Sequence, residues 1–243
     1  MTGYLRTMLA VAVGLPLALV ASATALAHAL PDTTSPAGNA RLDSSPAHIS
    51  ITYGDPIVPG ESWITLLDAT GAPVATTTDP AAGARQYSVA PSDPLLPGPY
   101  TVAWTSQDAA DGHQAQGFYT FVVNGASNGI ITGSAQASAK AADLTATLTV
   151  GALDDGSSML GVSLSDTARV DRVNIRLRGP NLGEDLLTLA SAPGGTWALT
   201  DNSVAVPGAW HADVIVRRHD TLEDAQAAFD FSIDPTTGQP TFD

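Results

Sequence analysis

The chain has 243 residues, 44% of them hydrophobic and 14% charged, enough apolar material for a core and too little charge for a solvating disordered chain. Its 10 Lys+Arg against 24 Asp+Glu give a formal charge of −14, which argues against nucleic acid or a polybasic membrane contact and suits cation capture. The absence of cysteine excludes disulfides, thiolate zinc sites, iron–sulfur clusters, type 1 copper and cysteine nucleophiles.

Residues 1–27 read as a cleaved signal peptide. Arg6 is followed by the apolar run Met8–Val20 and by small residues ending Ala25-Leu26-Ala27, an A-x-A cleavage site. No later apolar stretch approaches about 18 residues, so no transmembrane segment is expected after cleavage. The mature chain then begins at His28. A free N-terminal histidine offers its α-amine and Nδ1 to one metal, a chelate of borderline nitrogen donors that suits Cu(II) and other late divalent ions.

Short β-branched and aromatic segments follow: Ile49–Tyr53, Trp63–Leu67, Gln86–Val89, Tyr100–Trp104 and Phe118–Val123, separated by Gly, Pro and Asp clusters. That spacing predicts an all-β sandwich over residues 28–124. Residues 125–142 are small and polar and read as a linker. A second series, Leu144–Val150, Met159–Leu164, Val170–Leu177, Leu186–Leu189, Thr196–Leu199, Ser203–Val206, Trp210–Val216 and Ala227–Ile233, predicts a second sandwich over 143–234, with a loose tail at 235–243. The expected fold is two Ig-like, Greek-key β-sandwiches with no amphipathic helix.

The segment Asp108-Ala109-Ala110-Asp111-Gly112-His113 lies between two predicted strands. Asp111 and His113 are two residues apart, so in an extended segment a carboxylate and an imidazole point the same way. Gly112 between them lets the backbone bend. Spacing alone also fits an ordinary Asp-Gly turn. His48 reads as an exposed loop residue. His211 and His219 could form a second metal site with Asp213 or Asp220, but a wet strand face and a solvated loop explain them better. Trp63 and Trp104 read as core anchors.

The combination resembles the CopC family of periplasmic copper-binding proteins over residues 28–123. The residues that carry the resemblance are His28-Ala29-Leu30 with Ser35-Pro36-Ala37-Gly38-Asn39-Ala40, Ile51-Thr52-Tyr53-Gly54-Asp55-Pro56-Ile57, Leu96-Pro97-Gly98-Pro99-Tyr100-Thr101-Val102-Ala103-Trp104, Asp111-Gly112-His113, and Gly117–Val123. The resemblance implies a Cu(II) site with His28 binding through amine and imidazole, His113 through imidazole and Asp111 through carboxylate. It places Asp55 where the family more often has Glu. Asp is one methylene shorter, so Asp55 either reaches the metal or orients a ligand imidazole. Only three methionines exist and none lies between His28 and the linker, so a Met-rich Cu(I) site is not expected. Gly195–Leu199 and Pro207–Val214 resemble YtkA-like domains more loosely. A CopD-type membrane transporter, encoded separately, is the implied partner.

The function expected is copper buffering or delivery outside the cytoplasm, in the periplasm or cell envelope, with no catalytic residues: there is no Ser/His/Asp triad candidate, no phosphate loop and no convincing carboxylate pair. The rivals are a histidine-brace copper oxygenase, which needs an open coordination position that Asp111 would fill, and a metal-free two-sandwich interaction module.

Overall fold

The structure is a computed structural model and describes residues 29–79, 83–123, 130–199, 204 and 206–243. The described residues are strands and turns, apart from one 3-10 turn at Pro59–Glu61. The first half forms β1 (Pro31–Ser35), β2 (Ala40–Leu42), β3 (Ile49–Tyr53), β4 (Trp63–Leu67), β5 (Thr76–Thr78), β6 (Gln86–Pro91), β7 (Gly98–Gln107) and β8 (Gln114–Val123). One sheet has the order β1-β3-β6-β5, and the facing sheet pairs β4 with β7, β7 with β8 and β8 with β2. Alternation explains the layering. Ile49, Ile51 and Tyr53 of β3 and Tyr100, Val102 and Trp104 of β7 point into one core with Leu66, Val89 and Phe121. Each such side chain contributes about 1.5–3 kcal/mol on full burial.

The second half forms β9 (Ile131–Ala141), β10 (Leu144–Leu153), β11 (Ser158–Leu164), β12 (Val170–Arg178), β13 (Glu184–Ala192), β14 (Thr196–Leu199), β15 (Gly208–Arg218), β16 (Ala225–Ile233) and β17 (Pro240–Phe242), in the order β17-β16-β15-β12-β13-β14-β11-β10-β9. β13 joins the two layers. Its residues 184–189 pair with β12 and its residues 190–192 pair with β14. Val173, Ile175, Leu177, Val214, Val216, Leu148 and Val162 fill the space between the layers.

The halves are docked. Gly117 of β8 bridges Glu184 of β13 in parallel register. Phe118 of β8 belongs to the second core and meets Trp210 edge-on, with ring centroids 5.6 Å apart. Leu67 and Ala103 pack on the same core, and Arg41 reaches Asp155 and Ser157.

The all-β expectation is met, with differences in detail. The predicted linker is wrong over residues 131–141, which are β9, an 11-residue strand paired with β10 apart from a register shift at Thr132; residues 125–129 lie outside the described residues. In the tail, Pro240–Phe242 pairs with β16, and the Phe242 ring lies 5.6 Å from that of Phe231. Of the predicted strand Ser203–Val206, only Val204 and Val206 are described, and neither is in a strand. Trp104 is a core residue, but Trp63 is 46% exposed and walls an open cleft of about 400 Å³ with Thr105, Gln116, Pro180 and Leu182. It sits on β4, which pairs only with β7, and it faces out of the first sandwich. The predicted signal peptide lies outside the described residues.

Candidate metal centre

The candidate site is built at the tip of the β7–β8 hairpin. The two strands stay paired out to Gln107 and Gln114, so the connection is the six residues Asp108–His113. The loop closes on itself. The Asp108 amide donates to the His113 carbonyl at 2.8 Å, and the Gly112 amide donates to the Asp108 carbonyl at 3.0 Å. Gly112 has φ +75, a left-handed conformation that disfavours a side chain. Asp111 and His113 therefore converge through a turn, not through an extended segment. The His113 amide donates to Asp111 Oδ1 at 3.0 Å, and His113 Nδ1 lies 2.9 Å from Asp111 Oδ2. Both side chains are substantially exposed.

Two further segments are tied to this tip. Ala29, which follows His28 in the chain, is buried, and its carbonyl accepts from the Ser106 hydroxyl at 2.6 Å. The Leu30 carbonyl accepts from the Gly54 amide at 3.1 Å. The Pro56 carbonyl accepts from the Ala109 amide at 3.0 Å, and Ile57 bridges Asp108. Asp55 is half-buried on this Gly54–Pro56 segment, beside the loop. The structure thus gathers the three segments that the sequence singles out. Among the described residues no group of three His, Cys, Asp or Glu side chains comes to metal-binding distance. His28 lies outside the described residues.

Asp108 differs from its neighbours. β7 runs past the predicted end at Trp104, so Trp104, Ser106 and Asp108 all face inward, and Asp108 is 1% exposed. Its Oδ1 accepts from the Ala110 amide at 2.7 Å. Its Oδ2 is buried and has no hydrogen-bond partner among the described residues. The Asp-Gly spacing places Asp108 in a turn, whereas the period-2 pattern of β7 continued from Trp104 puts it inside. Asp108 thus closes the loop from inside, while the imidazole of His113 and the carboxylate of Asp111, donor types suited to a late divalent cation, are exposed at its tip.

The other histidines hold no such site. His48 is exposed. His211 Nδ1 is 2.6 Å from Asp230 and its Nε2 is 3.2 Å from Asp213, so its two nitrogens engage separate carboxylates. His219 pairs with Asp171 at 3.3 Å on the surface.

Comparison with known proteins puts this geometry in context. Residues 32–124 match the family model of the CopC domain. The chain is similar to CopC from Methylosinus trichosporium OB3b at 27% identity, with 42% of this chain and 98% of that chain covered and a TM-score of 0.38. It is similar to PcoC, a methionine-rich copper resistance protein from Escherichia coli, at 25% identity, with 40% and 99% covered and a TM-score of 0.36. No curated protein matches the chain.

Proposed function

We propose that the chain, whose residues 32–124 match the family model of the CopC domain, is an exported Cu(II)-binding protein that buffers or delivers copper outside the cytoplasm, and that it acts by binding and not as an enzyme. The observation that carries the reading is the Asp111–His113 pair, hydrogen-bonded as one unit at the tip of the hairpin whose Ser106 holds the carbonyl of Ala29, the residue after His28. His28 supplies an amine and an imidazole, His113 a second imidazole and Asp111 a carboxylate. Three nitrogens and one oxygen in a plane are a Cu(II) set by geometry and by the divalent affinity order. Asp55, on the segment bonded to the loop, would either reach the metal or orient a ligand imidazole. A separately encoded membrane transporter of CopD type is the delivery partner this reading expects.

The chemistry of the residues sets the pH response. Imidazole and amine ligands coordinate only without their protons, so copper affinity is expected to fall from pH 7 to pH 5. The test is a Cu(II) titration of the secreted protein, read by electron paramagnetic resonance, with the N-terminal mass measured on the same sample. One tight, nitrogen-rich tetragonal copper per chain beginning at His28 is expected. No tight copper on such a chain overturns the reading.

A further inference from the structure

We propose that the Trp63 cleft is a binding site for a neutral saccharide, with one sugar ring stacked on the indole and its hydroxyls bonded to the side chains of Thr65, Thr105, Gln116 and Asn181. The site is apart from the hairpin tip and stands without copper. Its floor follows from register. Trp63 of β4 lies opposite Thr105 of β7, and Thr105 lies opposite Gln116 of β8, so the three form one cross-strand row on the outer face of the first sandwich. The neighbouring row, Thr65–Ala103–Phe118, carries the docking contact with the second sandwich through Ala103 and Phe118. The Trp63 row lies one step nearer the hairpin tip and stays open, with the Pro180–Leu182 turn as the opposite wall. The space between them is about 400 Å³, the size of an ordinary ligand pocket.

The chemistry of the lining selects the ligand. Of the four tryptophans, Trp104, Trp197 and Trp210 are buried, and Trp63 alone offers an open indole face. No Asp, Glu, Lys, Arg or His lines the cleft, although the chain carries a formal charge of −14. In the adjoining groove Arg178 and Glu184 lie 3.4 Å apart and neutralise one another. A charged ligand therefore finds no counter-charge in the cleft. The side chains of Thr65, Thr105, Gln116 and Asn181 make no hydrogen bond to another described residue, which leaves two hydroxyls and two carboxamides as donors and acceptors for a ligand. At Thr105 β7 is paired on both edges, so the floor presents side chains and not a strand edge to which a peptide adds. A sugar ring, with an apolar C–H face and a hydroxyl rim, matches an aromatic face ringed by hydroxyl and amide groups.

The test is a titration of the metal-free protein with the neutral oligosaccharides cellopentaose, maltopentaose and penta-N-acetylchitopentaose, followed by calorimetry and by tryptophan fluorescence. At least one of them is expected to bind saturably and to shield the indole of Trp63 from acrylamide quenching. Trp63→Ala is expected to weaken that binding by about tenfold or more, because it removes the stacking face. Gln116→Ala, which takes away hydrogen bonds and leaves the indole, is expected to weaken it by roughly three- to tenfold. Both side chains are exposed, so the melting temperatures of the two variants are expected to stay near that of the parent, and a lost affinity then reports the site and not the fold. Binding of none of the oligosaccharides, equal affinity in the parent and in Trp63→Ala, or tighter binding of a decaproline peptide than of any of them overturns the proposal. All arms are read without copper, so their failure is distinct from failure of the copper reading.

Discussion

His211 is held between two carboxylates on the outer face of the second sandwich, bonded to Asp230 across to β16 and to Asp213 along β15. Asp213 also meets Arg178 at 3.1 Å, and Glu184 lies 3.4 Å from Arg178. The hydrogen bond to Asp230 is the main cause that raises the imidazole pKa; burial opposes it and Asp213 reinforces it. A histidine whose pKa is raised by folding contributes stability that is complete below about pH 6.5 and is lost as pH rises through the raised value. The side chain is a third exposed, so solvent screening limits the contribution to about 1 kcal/mol or less. For a chain of this size that is a loss of about 2–4 °C in melting temperature. His211→Gln is expected to flatten this part of the stability profile; equal slopes for both proteins between pH 6 and 8.5 would refute the assignment. The hairpin tip has its own residue-scale prediction. Asp111→Asn removes the charge that pairs with His113 and the proposed oxygen ligand together, so Cu(II) affinity is expected to fall at least tenfold, about 1.4 kcal/mol or more. Unchanged affinity would remove Asp111 from the ligand set.

At the scale of elements, the hairpin of β7 and β8 is braced where the sandwiches meet. A Cβ at Gly117 would lie 2.6 Å from Trp104 Cζ2 and 2.8 Å from the Glu184 carbonyl oxygen. One obstacle is a packed indole and the other is backbone, so neither gives way cheaply. Gly117→Ala is expected to destabilise the protein by about 1–3 kcal/mol in urea unfolding; a change within 0.5 kcal/mol would show that the two strands are not packed so closely. How far such elements are legible in the sequence depends on what fills their inward positions. Where these are Ile, Val, Tyr or Trp, as in β3, β7 and β15, the alternation announces the strand. In β9 the inward positions are Ala137, Ala139 and Ala141 and the outward ones are Gln136, Ser138 and Lys140, a period-2 pattern with too little apolar bulk to stand out from a linker. β9 is a strand because pairing with β10 and packing on the second core override its composition. The candidate site was legible for Asp111 and His113, whose spacing survives as a turn. It was not legible for Asp108, whose burial depends on β7 continuing three residues beyond its last aromatic.

At the scale of the molecule, Phe118 couples the sandwiches. It belongs by sequence to the strand that follows the Asp111–His113 loop, yet its ring is buried in the second core and meets Trp210 edge-on. Arg41 adds a charged tie to Asp155, whose carboxyl is held low by Ser157 and Arg41 against the opposing and larger single effect of burial. With these contacts formed, unfolding the second sandwich strips the outer face of β8, and unfolding the first leaves a hole in the second core. Stabilities of the two halves are then linked, and calorimetry of the intact chain is expected to show one transition. Phe118→Ala removes the shared ring. It is expected to cost about 3–5 kcal/mol and to split that transition into two, because the remaining contacts no longer bind the halves into one cooperative unit. Two resolved transitions in the unsubstituted protein, with only one of them shifted by Phe118→Ala, would show that the sandwiches fold independently. A single transition that splits makes the second sandwich a support for the hairpin, since the strand that carries Phe118 starts one residue after His113.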